Sequence, residues 1–146
     1  MTPALVAALV FTVILLVITA YFLMGSVPLL ILKHDTPMDG NFVRGLFDIY
    51  YRVAMVSAGA TALSYALAGR FVFAAGAGVL TLLAVLLRRQ VIPRMDAMRA
   101  QMQVSGTDAI PGFRRIHITA ILVNLGQLVS IVWGLITLSM QGSTAP

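Results

Sequence analysis

The sequence predicts an all-α integral membrane protein: a single-domain, four-helix up-and-down bundle over residues 1–146, with both termini on the non-cytoplasmic side. Three observations predict it. Hydrophobic residues make up 60% of the chain and charged ones only 10%, whereas a soluble domain is nearer half apolar and a quarter charged. The apolar residues gather into four long runs, and roughly 20 such residues carry a helix across a bilayer core. Basic residues fall almost entirely on one side of those runs, which orients a membrane protein.

The first run extends from Pro3 to about Leu32 without a charge. At about 1.5 Å per residue it exceeds one membrane thickness, so it must tilt, kink or project. Pro28, just after Gly25-Ser26, is the expected kink. A cleaved signal peptide would need a basic leading region, and Met1-Thr2-Pro3-Ala4 has no charge, so this span is expected to be retained. His34 to Asn41 reads as a turn-rich loop from its Pro, Gly, Asn and Asp content.

The second run goes from about Phe47 to Ala68. Near its start Asp48 and Arg52 stand at i, i+4, the spacing of a structural ion pair, with Tyr50 and Tyr51 at headgroup level. The third run covers Phe71 to Leu87, and only Gly69-Arg70 joins it to the second, which demands an antiparallel hairpin. A helical pattern from Pro93 to about Val104 extends the third span into the cytoplasm. Ser105-Gly106-Thr107-Asp108 and Pro111-Gly112 read as a second loop. The fourth run goes from about Ile116 to Met140.

Alternating these spans puts Lys33, Arg44, Arg52, Arg88, Arg89, Arg94, Arg99, Arg114 and Arg115 on or near one side, against Arg70 alone on the other. The rich side is expected to be cytoplasmic, and the protein a multi-pass component of the inner (plasma) membrane. All five acids share that side, so the net charge of +5 is an orientation charge. It suits anionic lipid headgroups rather than nucleic acid.

Several chemistries are excluded. Without cysteine there is no disulfide, thiolate metal site or cysteine nucleophile, and without glutamate no di-iron carboxylate bundle. His34 and His117 have no ligand spacing between them. Met95, Met98 and Met102 form an i, i+3, i+7 stripe that suits an apolar packing face better than a soft metal. No phosphate loop, dinucleotide fingerprint, nucleophile elbow or zinc-protease helix is found. Neither metal nor cofactor is expected, and the lack of midplane charge argues against ion-coupled transport.

Helices in lipid pack through small residues and a few polar contacts. Gly126, Ser130 and Gly134 on the fourth span, Ser57-Thr61 and Ala60-Ser64-Ala68 on the second, and Ala74-Gly78 on the third read as such seams. The candidate binding set is Arg52, Arg89, Arg115, His117, Asn124 and Gln127. His117, Asn124 and Gln127 are spaced by seven and three, and so share a helix face. Arg88 and Arg89 end the third span, while Arg114 and Arg115 open the fourth. As structure, these arginines are stop-transfer charges reaching phosphates, and Asn124 and Gln127 bond between helices. As a site, His117 is the candidate catalytic acid or base, the arginines hold an anionic or enolate-like substrate, and Asn124 and Gln127 orient it.

Arg89 with Ile92-Pro93-Arg94, then Phe113-Arg114-Arg115-Ile116-His117 and Asn124-Leu125-Gly126-Gln127, resembles the transmembrane protein 205 family (domain of unknown function 4149). The likeness covers roughly Leu29 to Leu138, with Phe47 to Arg52 where that family is rich in aromatics. Its sharpest part is Arg115-x-His117 followed by Asn124-Leu125. The resemblance implies four spans without a defined biochemical activity, and marks Arg89, Pro93, Arg115, His117 and Asn124 as the family-like positions. The chain departs from it in lacking a histidine near the start of the first span and in having Arg52 where animal relatives tend to have histidine.

Tyr51-Arg52 and Arg114-x-x-His117 are also similar to anthrone-oxygenase-like four-span proteins. Ala120 and Arg94-Met95 depart from that pattern. The leading expectation is an accessory or structural subunit, not an enzyme, packing on lipids, partner membrane proteins or copies of itself. The alternative is a cofactor-free membrane enzyme or small-molecule binder using the His/Arg/Asn pocket.

Overall fold

The computed structural model describes residues 2–30, 37–105 and 110–143. They form four helices: α1 (Pro3–Leu29), α2 (Pro37–Leu67), α3 (Phe71–Ser105) and α4 (Ile110–Ser143). At the start of α1, the Thr2 side chain accepts the Leu5 N–H at 3.3 Å and Pro3 takes the first helical position, where its missing N–H costs nothing. Pro28 lies in the last turn, and α1 closes one residue later. The proline thus stands at the helix terminus. The expected end of that span, residues 31–32, lies outside the described residues, as do His34, Asp35 and Thr36 of the turn-rich loop.

Two stretches read as loop are helix. Pro37–Asn41 opens α2, and Pro111-Gly112 falls in the first turn of α4. A proline's fixed φ is pre-organised for a first helical turn, so loop-like composition here marks helix starts. The α2–α3 hairpin closes on Gly69 at φ 70°, a left-handed conformation that glycine adopts without strain. The Arg70 N–H reaches the Tyr65 carbonyl at 2.9 Å and the Gly69 N–H reaches Ala66 at 3.0 Å. That bond pair is a Schellman cap. α3 continues unbroken through Pro93.

Each helix touches its two ring neighbours, in the order α1, α2, α3, α4 and back to α1; among the described residues the diagonal pairs have no close backbone approach. The buried positions follow a 4-3 spacing. On α1 they include Ala8, Thr12, Leu15, Thr19, Phe22 and Ser26; on α2, Val43, Phe47, Tyr50, Ala54, Ser57, Thr61 and Ser64; on α4, Phe113, His117, Ala120, Asn124, Gln127 and Ile131. This is the seam of left-handed, coiled-coil-like packing.

Polarity is inverted relative to a soluble protein. Among the described residues ten polar or charged ones are buried, while Val10, Val17, Val56, Leu63, Leu122 and Val129 are among the many large apolar side chains exposed. Among the described residues three helices carry spans long and apolar enough to cross a membrane: Pro3–Leu29, Phe71–Gln101 and Pro111–Met140. α2 is as long, at 31 residues, but falls short in hydropathy. Its inward face holds Asp48, Tyr50, Tyr51, Ser57, Thr61 and Ser64, and these dilute an outer face that is apolar.

The small-residue seams divide. Ser57, Thr61 and Ser64 on α2 are buried against neighbours. On α4, Gly126 and Ser130 are exposed, and a Cβ added at Gly126 or Gly134 would meet nothing within 4 Å. The expected α4 seam is therefore not a contact within this chain. The reason is rotational: the inward face is set by His117, Asn124 and Gln127, and Gly126 lies about 100° away from Gln127. Gly112, by contrast, sits where a Cβ would come 3.1 Å from the Met98 sulfur. Met95, fully buried, and Met98 belong to the apolar core.

Candidate functional site

α4 turns His117, Asn124 and Gln127 into the bundle, and α2 meets them with large rings. α2 and α4 are diagonal, so only side chains as long as aromatics can bridge them. The Phe47 ring packs edge-on to His117, centroids 5.2 Å apart at 80°. The Tyr51 ring lies beside Phe47, centroids 5.9 Å apart, and Asn124 Nδ2 donates to the Ala120 carbonyl at 2.8 Å. The Tyr50 hydroxyl donates to Gln127 Oε1 at 3.3 Å and sits 3.4 Å from Thr19 Oγ1. Phe22 stacks on Tyr50 at 4.0 Å and meets Phe47 edge-on at 4.8 Å. Beside Tyr50, Thr19 and Gln127 is a void of about 10 Å³, the lower limit for one water molecule.

A charged cluster caps this axis. Asp48, 7% exposed, receives Arg52 at 2.7 Å, Arg88 at 3.0 Å and Arg44 at 3.9 Å. Asp96 receives Arg44 through two parallel bonds of 3.1 and 3.2 Å, and Arg99 at 3.3 Å. Arg99 also donates to Asn41. The hydrogen bonds that Arg44 donates to Asp96 raise the Arg44 pKa above its ordinary value, with the charges of Asp96 and Asp48 adding to it. The two aspartates thus tie α2 to α3 through a shared set of forked arginines.

The structure brings His117, Asn124 and Gln127 onto one interior face and pairs Asp48 with Arg52. It does not bring the arginines to them. Arg89 and Arg115 are exposed, and Arg52 is engaged at the rim. His117 is completely buried, whereas an acid or base must come within hydrogen-bond reach of its substrate. A groove of about 780 Å³ opens near the Gly69 hairpin, and none of the six candidate residues lines it.

Sequence reasoning missed Arg44 and Asp96 as network members, the pairing of Arg88 with Asp48, and Thr12, Thr19 and Tyr65 as interior polar groups. One signal was present for α1: Thr12, Thr19 and Ser26 recur every seven residues, as His117 and Asn124 do. No local signal points Arg88 at Asp48, which is 40 residues away. No family model, curated protein or solved structure matches the chain.

Proposed function

We propose that the chain is a multi-pass inner-membrane protein in which all four helices cross the bilayer, with both termini outside the cytoplasm, acting as an accessory or structural subunit. α2 is included because its outer face is apolar, with Val53, Val56, Leu63 and Leu67 exposed. Its low hydropathy comes largely from inward polar residues such as Asp48, Ser57, Thr61 and Ser64, together with Arg52 near its charged end. Such four-span architecture without defined activity is also what the resemblance to the transmembrane protein 205 family implies.

The observation that carries the accessory reading is the sealed state of the polar axis. His117 is covered by Phe47, and the arginines that would hold a substrate lie elsewhere. Intramembrane polar groups used this way fix helix pairing. At the rim, Arg89, Arg94, Arg114 and Arg115 are exposed on the neighbouring helices α3 and α4 and make no ion pair among the described residues. These four form the surface that holds anionic headgroups, each worth about 1 kcal/mol near a charged leaflet.

Native mass spectrometry of the chain released from bilayers of phosphatidylcholine and phosphatidylglycerol tests the reading. Bound phosphatidylglycerol is expected, and the combined R89Q/R94Q/R114Q/R115Q variant should lose it. Equal retention by the variant overturns the headgroup role. A reporter fused after Pro146 and found in the cytosol overturns the orientation.

A further inference from the structure

We propose that Arg52 and Arg88 form a binding site for a lipid phosphomonoester at the charged end of the α2–α3 hairpin, with Asp48 holding the two guanidinium groups in place. The inference rests on α2 and α3 crossing the bilayer, as proposed above. Residues 53–68 and 71–87 carry no charge, so Arg52 and Arg88 are the first charged positions met on either arm of the hairpin beyond Arg70. Each stands where the uncharged stretch of its helix ends, which is the depth of lipid phosphates. Asp48 shows that the two depths coincide. Arg88 reaches its Oδ1 at 3.0 Å and Arg52 its Oδ2 at 2.7 Å, so two guanidinium groups flank one carboxylate.

Unspent donors and unbalanced charge decide the ligand class. A guanidinium has five N–H groups. Arg52 approaches Asp48 through Nη2, and Arg88 through Nε and Nη2. The remaining N–H groups belong to side chains that are 64% and 36% exposed, whereas that of Asp48 is 10% exposed. The carboxylate is thus held inside while the donors reach outward. Around it, Arg44, Arg52, Arg88 and Arg99 share Asp48 and Asp96, and four positive charges against two negative leave the cluster at +2.

A phosphomonoester carries about −1.5 to −2 charge near neutral pH and presents three strong acceptor oxygens. It matches both surpluses, and arginine takes such oxygens through parallel N–H bonds. A phosphodiester has one charge and two unesterified oxygens, and matches neither as well. Free phosphate has the same chemistry as the monoester head. The lipid is favoured because exposed apolar side chains, Val53 and Val56 on α2 with Leu82 and Leu86 on α3, continue from the site towards the hairpin and receive acyl chains.

The whole chain carrying R89Q/R94Q/R114Q/R115Q lacks the headgroup surface proposed above, so the two readings fail separately. It is placed in bilayers of dioleoylphosphatidylcholine with equal parts of dioleoylphosphatidic acid and dioleoylphosphatidylglycerol at neutral pH, then released for native mass spectrometry. Phosphatidic acid is expected to be retained about fivefold over phosphatidylglycerol, the factor for one further charge near the surface. Adding R52Q and R88Q should bring the ratio to one. R52Q alone, at a largely exposed side chain and with folding checked by detergent melting, should cut it at least by half. Excess inorganic phosphate should leave the ratio unchanged. Equal retention of the two lipids before Arg52 and Arg88 are altered overturns the proposal, as does a preference that R52Q does not move. Collapse of the ratio under inorganic phosphate assigns the site to the free ion and overturns the lipid as occupant.

Discussion

The two ends of the bundle solve one packing problem with different chemistry. At the charged end, Asp48 and Asp96 reach across from helix to helix and collect four arginines. At the hairpin end the polar groups are hydroxyls, and Thr12, Thr61, Ser130 and Thr137 each donate to a carbonyl of their own helix. A hydroxyl that only bonds four residues back adds nothing between helices, and among the described residues the one hydroxyl bond joining two helices at this end is Thr12 to Tyr65, at 3.2 Å. One end is therefore tied and filled, while the other is left open between α3 and α4. Interhelical polar bonds, rather than apolar burial, separate the two outcomes, because lipid offers no hydrophobic drive for helix association.

The largest expected effect comes from emptying the filled end. Phe47 is wholly buried against His117, Phe22 and Tyr51. Phe47→Ala should cost about 3 kcal/mol in detergent unfolding, the low end for such truncations because lipid replaces part of the transfer term. It should also open His117 to diethylpyrocarbonate, read by peptide-resolved mass spectrometry. A protected His117 in the folded variant would mean that Phe47 is not the seal.

Next is the ionic tie. Asp48→Asn removes the shared acceptor of Arg44, Arg52 and Arg88, and is expected to destabilise by about 2 kcal/mol. Arg52→Ala should cost less than about 1 kcal/mol, since that side chain is 64% exposed and exposed pairs contribute little. Comparable losses from the two variants would show that Asp48 serves Arg52 alone rather than the α2–α3 tie.

Much of this division was legible in the residues. The four apolar runs, the one-sided arginines and the shared face of His117, Asn124 and Gln127 follow from composition and period. What escaped was rotation and partnership. The Gly126-Ser130-Gly134 ladder is a genuine pattern, yet period alone cannot say which of two adjacent stripes turns inward. Arg88 beside Arg89 looks like a pair of stop-transfer charges. Only the packing of α2 on α3 separates the one bound to Asp48 from the one left exposed. The open groove had no sequence signal, because it is made by what Gly134, Gly76 and Ala77 lack.

A smaller effect sharpens the diagonal bridge. Tyr50→Phe removes the bond to Gln127 while keeping the stacked ring. About 0.6 kcal/mol is expected, the average for such bonds in membrane bundles. A loss several times larger would show that the 10 Å³ void holds a water which depends on the same hydroxyl.

The smallest effect has the opposite sign. Gly126 lies in the interior of α4, and a Cβ there meets nothing within 4 Å. Gly126→Ala restricts the unfolded chain without a clash, so it should stabilise the protein by about 0.5 kcal/mol. Gly112→Ala, where the new methyl would press on the Met98 sulfur at 3.1 Å, should gain less or lose. If Gly126→Ala instead destabilises, the α4 stripe is covered in the native assembly. A partner helix would then occupy a surface that this chain alone leaves bare, and the openness of the hairpin end would belong to the isolated subunit rather than to the protein at work.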